Sequence, residues 1–147
     1  CKGAVPTPGL LKVDDSALLV PARELVDRMR SHIEVQAIHL ALTALWDLVG
    51  QANRYVDSQA PWALRKTDPE RMATVLYVLA EVIRHLAILA QPVVPDAAGK
   101  MLDQLAIPQD QRDFSNLGEV YMLEPTTPLP KPQGVFPRYS GDDGANS

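Results

Sequence analysis

Apolar residues recur along this sequence at helical intervals, in stretches punctuated by proline. Leu18, Leu19, Val26 and Met29 form a first stripe, and Asp14, Asp15 or Ser16 is placed to cap it by accepting bonds from free backbone amides. Pro21 fits such a helix only if it falls in the first turn. A longer stripe follows from about Glu34 to Gln59, where Val35, Ile38, Leu42, Leu45, Val49, Ala52 and Val56 recur three and four apart. That spacing predicts a helix buried along one side. Pro61 is expected to end it, because proline lacks the amide hydrogen and disfavours helix in the residue before it. Asp68 then caps and Pro69 opens a helix that Met72, Val75, Leu76, Leu79, Val82, Ile83, Leu86 and Leu89 carry to Gln91. Its broad apolar face predicts a central position. Pro92 and Pro95 force a turn, Asp96 is expected to cap a short fourth helix with Met101, Leu102 and Leu105 inward, and Pro108 closes it.

The only strand-like pattern lies around Val120 to Leu123, so the prediction is an all-α fold: a helical bundle with short loops and an irregular proline-rich C-terminal tail. Residues 1–13, with Gly3, Pro6, Pro8 and Gly9, read as a linker from something upstream, and residues 14–107 as the bundle. Residues 108–139 read as a docking tail and 140–147 as a disordered terminus. Five prolines fall between Pro125 and Pro137, a composition that cannot build a core. Phe136 has no apolar partners nearby in sequence, so Val135 to Tyr139 is expected to dock back on a surface.

A length of 147 residues, 46% of them hydrophobic, suits one compact core. The chain opens at Cys1 and runs into Lys2, Gly3 and Pro6 with no apolar leader, and it reads as the continuation of a longer chain. No uninterrupted apolar run approaches the roughly 18 to 20 residues that cross a bilayer, so no membrane partner is expected. A lone cysteine has no partner for a disulfide or a zinc site, and a cytoplasmic setting fits. A net charge of −4 argues against indiscriminate coating of DNA or RNA, which needs a broad basic face. Charge is local, however: from Arg54 to Lys66 there are three basic residues, Arg54, Arg65 and Lys66, against Asp57 alone.

Catalytic chemistry finds no foothold. His32 and His39, seven apart, would share a helical face but lack a third metal ligand. His85 follows Glu81 by four as an ordinary helical pair. Adjacent Asp14 and Asp15 are better explained as caps than as an acid–base couple. No nucleophile arrangement and no glycine-rich phosphate loop is evident. Trp46, four residues after Leu42 within the long helix, reads as core.

The stretch Asn53-Arg54-Tyr55-Val56-Asp57-Ser58-Gln59-Ala60-Pro61-Trp62-Ala63-Leu64-Arg65-Lys66 resembles the anticodon-binding region of methionyl-tRNA synthetases. Asn-x-Tyr near the end of a long helix is shared with other class I synthetases, whereas Pro-Trp six residues after the tyrosine, with Leu64 and Lys66, is similar to the methionine enzymes. Gln91-Pro92-Val93-Val94-Pro95 leading to Ala98 and Lys100 resembles that family's helix break. Gly134-Val135-Phe136-Pro137-Arg138 resembles its terminal segment, and Cys1 to Pro8 the link after its first anticodon-domain helix.

The resemblance implies a helical bundle that reads the CAU anticodon of methionine tRNA, attached to an N-terminal catalytic domain that ligates methionine with ATP and magnesium. It implies no cofactor and no catalytic residue within this chain, since His-x-Gly-His and Lys-Met-Ser-Lys-Ser do not occur in it. The family's asparagine and arginine, four residues apart on the preceding helix, are also not in it. Carried over, the base contact falls on Trp62, whose indole offers a flat face to an unstacked base. Arg54, Arg65 and Lys66 are candidates for nearby phosphates. Asn53 and Tyr55 are candidates for holding the helix end, with Asn53 also a candidate RNA contact. Two other readings stand beside this one: a helical protein-interaction module using Trp62 and the tail, and the equivalent domain of another class I synthetase.

Overall fold

In the computed structural model, residues 3–136 are described. Five α-helices follow in order: α1 Val13–Glu34, α2 Ile38–Gln59, α3 Pro61–Thr67, α4 Pro69–Ala90 and α5 Pro95–Gln104. Three short 3-10 turns, Gln109–Gln111, Phe114–Leu117 and Glu119–Tyr121, and an isolated antiparallel bridge between Ala4 and Pro128 complete the secondary structure among the described residues. The long helices α1, α2 and α4 pack on one another, and α5 packs on α4. Their shared core includes Leu18, Leu25, Leu45, Leu48, Val75, Val78, Val82 and Ile88. The all-α prediction is thus met, with α4 at the centre as its broad apolar face requires.

Several boundaries move, each for a local reason. The N-cap of α1 is Lys12, whose N–H donates to Asp15 Oδ2 at 2.8 Å, so Asp15 serves from inside the first turn. This early start leaves Pro21 well inside α1 rather than in its first turn. The break between α1 and α2 falls at residues 35–37, where Gln36 adopts a left-handed φ of 60°, so the second helix begins at Ile38 and not at Glu34. His32 and His39 therefore sit on different helices. Pro61 does end α2, but it also opens α3, because proline at a first helical position forfeits only an amide that would lack a partner. Asp68 caps α4 as expected, accepting from Arg71 N at 2.9 Å. Val94, rather than Asp96, precedes α5 as its N-cap. The strand-like pattern at Val120 to Leu123 falls on a 3-10 turn, Glu119–Tyr121, and the two residues after it; Val120 is exposed and only Leu123 is buried, so the segment has neither a strand partner nor an alternating face.

The described part of the segment before Val13 is tied to the bundle. Val5 is buried, its N–H donates to Thr127 O at 2.9 Å, and Gly9 N donates to Thr74 Oγ1 at 2.8 Å. Past α5, Gln104 clasps Gln133 through bonds of 2.9 and 3.2 Å, and Val135 lies in a shallow apolar groove with Ile83, Met101 and Leu129. The tail docks that far. Phe136 is 71% exposed, against the expectation that it packs on this chain, and Pro137 to Tyr139 and the terminus from residue 140 lie outside the described residues.

By length and composition α4 does reach what a membrane span requires, contrary to a reading based on uninterrupted runs. Its burial explains the composition: the charged residues that break the run, Arg71, Glu81 and Arg84, are themselves buried in the bundle.

Candidate nucleic-acid interface

The corner between α2 and α3 is made by one residue. Ala60, φ 42° and ψ 61°, closes α2 through its N–H to Val56 O at 3.0 Å and accepts from Ala63 N at 2.9 Å to start α3. A left-handed alanine costs about 1 to 2 kcal/mol, because its Cβ crowds the following carbonyl. Pro61 is buried against the bundle, while Trp62, the next residue, is 64% exposed. Arg65 and Lys66 follow Trp62 by three and four residues on α3 and are exposed too, so helical spacing groups their side chains with the indole.

The structure does not gather every candidate there. Asn53 is exposed on the outer side of α2. Arg54 lines a shallow depression between α1 and α2 with Asp14, Gln51 and Tyr55, and its Nη1 lies over Gly50, where an added Cβ would stand 3.5 Å from it. It thus turns away from α3. Trp46 is 66% exposed, so the core reading is wrong. Helical geometry gives the reason: Leu45 and Leu48 take the buried side of α2, and Trp46 stands in line with Gly50, Asn53 and Asp57 on the opposite side.

Beneath the corner lies a polar cluster that hydrophobic periodicity does not register. Arg71 of α4 forks onto Asp15 of α1, Nη1 to Oδ2 at 2.6 Å and Nη2 to Oδ1 at 2.8 Å, with side chains 6% and 0% exposed. The Tyr55 hydroxyl of α2 donates to the same carboxylate, and Gln59 accepts from Arg71 Nη2 at 2.5 Å. Tyr55 thus ties α2 to α1 rather than holding the end of α2, and Asn53, exposed, is not drawn into the cluster. Burial pushes the Asp15 carboxyl up, but bonds from Arg71, Tyr55 and the Lys12 amide outweigh it and hold the group below its ordinary 3.8. Burial, then the neighbouring Asp15 carboxylate, raises Tyr55, which stays a donor. The signal in the sequence was Arg71 itself, a cation in line with the inward Val75, Val78 and Val82 and needing a distant acid.

Tyr55→Phe keeps the packing and removes one bond to a charged group, so it should cost about 1.5 to 3 kcal/mol at pH 7. Because the folded Asp15 pKa lies below the unfolded one, this contribution is complete above about pH 4 and disappears as pH falls through the folded value. Urea unfolding of both proteins from pH 7 to pH 2.5 should show the gap closing only at the acid end.

A second buried cluster sits further along α4, away from the corner. Glu81 accepts from Arg84 Nη2 at 2.5 Å and from Leu123 N at 3.1 Å, and Arg84 Nη1 donates to Asn116 O at 2.7 Å. His85 lies between the carbonyls of Glu81 and Leu117 at 2.9 and 3.1 Å, and its Nδ1 is 3.7 Å from Glu81 Oε1, so the helical pair with Glu81 is present but buried. Burial lowers its pKa. Among the described residues no group of three metal-binding side chains occurs.

A family model described as the anticodon binding domain of methionyl tRNA ligase matches residues 5–146. The chain is 50% identical over 147 residues to a methionine–tRNA ligase of Mesorhizobium japonicum, covering all of this chain and 28% of that protein. It is 52% identical over 139 residues to one of Rhizobium meliloti, covering 95% of this chain and 27% of that protein. Among solved structures, the apo methionyl-tRNA synthetase of Mycobacterium tuberculosis superposes with a TM-score of 0.89 at 48% identity, over 95% of this chain and 28% of that one. The same enzyme bound by methionyl-adenylate gives 0.88 at 47%, over 92% and 27%.

Proposed function

Since the chain belongs to the anticodon-binding domains of methionyl-tRNA ligases, we propose that it recognises the CAU anticodon of methionine tRNA on behalf of a longer ligase, of whose curated relatives it spans about 28%. The observation that carries this reading is the exposed Trp62, on a short helix anchored by a buried proline and accompanied by Arg65 and Lys66. The indole stacks on the first anticodon base, and the two cations meet neighbouring phosphates. Asn53, exposed on α2 beyond the corner, extends the contact to the backbone of the loop, whereas Arg54 is turned away from it.

The longer protein joins methionine to tRNA using ATP and magnesium in the cytoplasm, and those reactants are held outside this chain. The exposed Phe136 braces the bundle against that catalytic part. Competition between methionine tRNA and a copy with the first anticodon base exchanged, measured on the full-length ligase, tests the reading. The exchanged tRNA should compete at least about tenfold less well, a loss of about 1.4 kcal/mol. Equal competition would overturn it.

A further inference from the structure

Arg71 takes hold of the chain on both sides of α3. Its backbone N–H donates to Asp68 Oδ1 at 2.9 Å, on the residue that follows α3. Its Nη2 donates to Gln59 Oε1 at 2.5 Å, on the last residue of α2. The rest of the guanidinium is fixed by the bidentate pair with Asp15. Everything between the two anchors is Ala60 and the seven residues of α3, with Trp62 at its second position.

This segment needs holding. Ala60 sits in a conformation that an alanine leaves readily unless its surroundings over-determine it. Pro61 is the one fully buried residue of α3 and Leu64 packs half-buried on the core, a small apolar anchorage for a helix of this length. A buried ion pair is a poor source of net stability, since desolvating both charges offsets their attraction. Its value lies in geometry: a planar fork locked on Asp15 presents its remaining donor to Gln59 in one direction only.

We propose that Arg71 is the positioning residue for Trp62: through Gln59 and Asp68 it holds α3 at the angle in which the indole receives the anticodon base. The inference rests on Trp62 being the base contact. Arg71 is buried, its side chain 6% exposed, so it acts on Trp62 through the chain rather than by meeting the RNA itself. A helix already held loses less freedom when the base stacks, so releasing it weakens binding without altering any group that meets the RNA.

Gln59→Met in the full-length ligase tests this. Methionine matches glutamine in length, offers Nη2 no comparable acceptor and leaves the Asp15–Arg71 pair intact; it also removes one exposed bond, from Gln59 Nε2 to Asp14 at 3.2 Å. The KM for methionine tRNA should rise about three- to tenfold, the equivalent of one lost hydrogen bond, with kcat and tRNA-independent activation of methionine unchanged. In a Trp62→Ala background the same substitution should add less than about twofold, because there is no indole left to position. A second variant, Arg71→Lys, keeps the charge but cannot reach Asp15 and Gln59 together, and it should behave alike with a larger rise. If Trp62→Ala weakens binding while Gln59→Met does not, or if the two effects add fully, the positioning role is wrong. If Trp62→Ala itself changes nothing, the reading of Trp62 fails first and takes this inference with it.

Discussion

Arg84→Met is expected to lower the unfolding free energy by about 3 to 5 kcal/mol, a large part of the roughly 5 to 15 kcal/mol that holds an ordinary domain together. Glu81 and Arg84 are each 1% exposed, so removing the guanidinium leaves a carboxylate in the interior with one hydrogen bond, from the Leu123 amide, and the His85 ring 3.7 Å away. Asn116 O loses its donor in the same step. The damage should be directional. Glu81, Arg84 and His85 all bond to the backbone between Asn116 and Leu123, and Tyr77 donates to Leu123 O at 2.9 Å. Hydrogen exchange should therefore accelerate first in that segment, before α1 and α2 loosen. Replacing both members, with Glu81→Leu added, should recover only part of the loss. An apolar pair repairs the buried charge but not the amide and carbonyl that the pair served. A loss below about 1 kcal/mol in urea unfolding would mean that this cluster does not fasten the C-terminal segment.

Those polar clusters mark where the sequence stops being legible. Spacings of three and four identify α2 and α4 because burial along one side leaves a periodic trace, and Asp68-Pro69 identifies the start of α4 because the cap lies within four residues of its target. Pairing between Asp15 and Arg71 leaves no such trace, since the partners are 56 residues apart and meet only once the bundle has closed. Arg84 and Glu81, three apart on α4, carry no sequence mark of burial, and only packing places them in the interior. Trp46 fails for the opposite reason: large aromatics are assigned inward by habit, and the register of α2 carries this one out. At the corner, Pro61 announces an interruption, but proline stops one helix and starts another equally well, and the left-handed Ala60 that decides between them has no signature in its residue type. The candidate contacts divide accordingly. Trp62, Arg65 and Lys66 come together because they share one short helix, whereas Arg54, close in sequence, is turned aside by its place on α2.

Trp62→Ala carries the largest expected effect on recognition. Stacking of a base on an aromatic ring is worth about 1 to 3 kcal/mol, roughly five- to 150-fold in affinity. The side chain is mostly exposed, so the substitution should leave folding within about 0.5 kcal/mol of the parent, and the loss can be read as lost contact. Trp62→Phe keeps a smaller ring face and should fall between the two. Neutralising Arg65 and Lys66 together should instead weaken all tRNAs alike and flatten the dependence on salt, because phosphates carry no base identity.

The most direct test is equilibrium binding of methionine tRNA to the full-length ligase at one fixed salt concentration, with the parent and Trp62→Ala measured side by side. A loss of at least about fivefold, with methionine activation unchanged, is the predicted result; equal affinity would contradict the assignment of Trp62 as the residue that meets the anticodon.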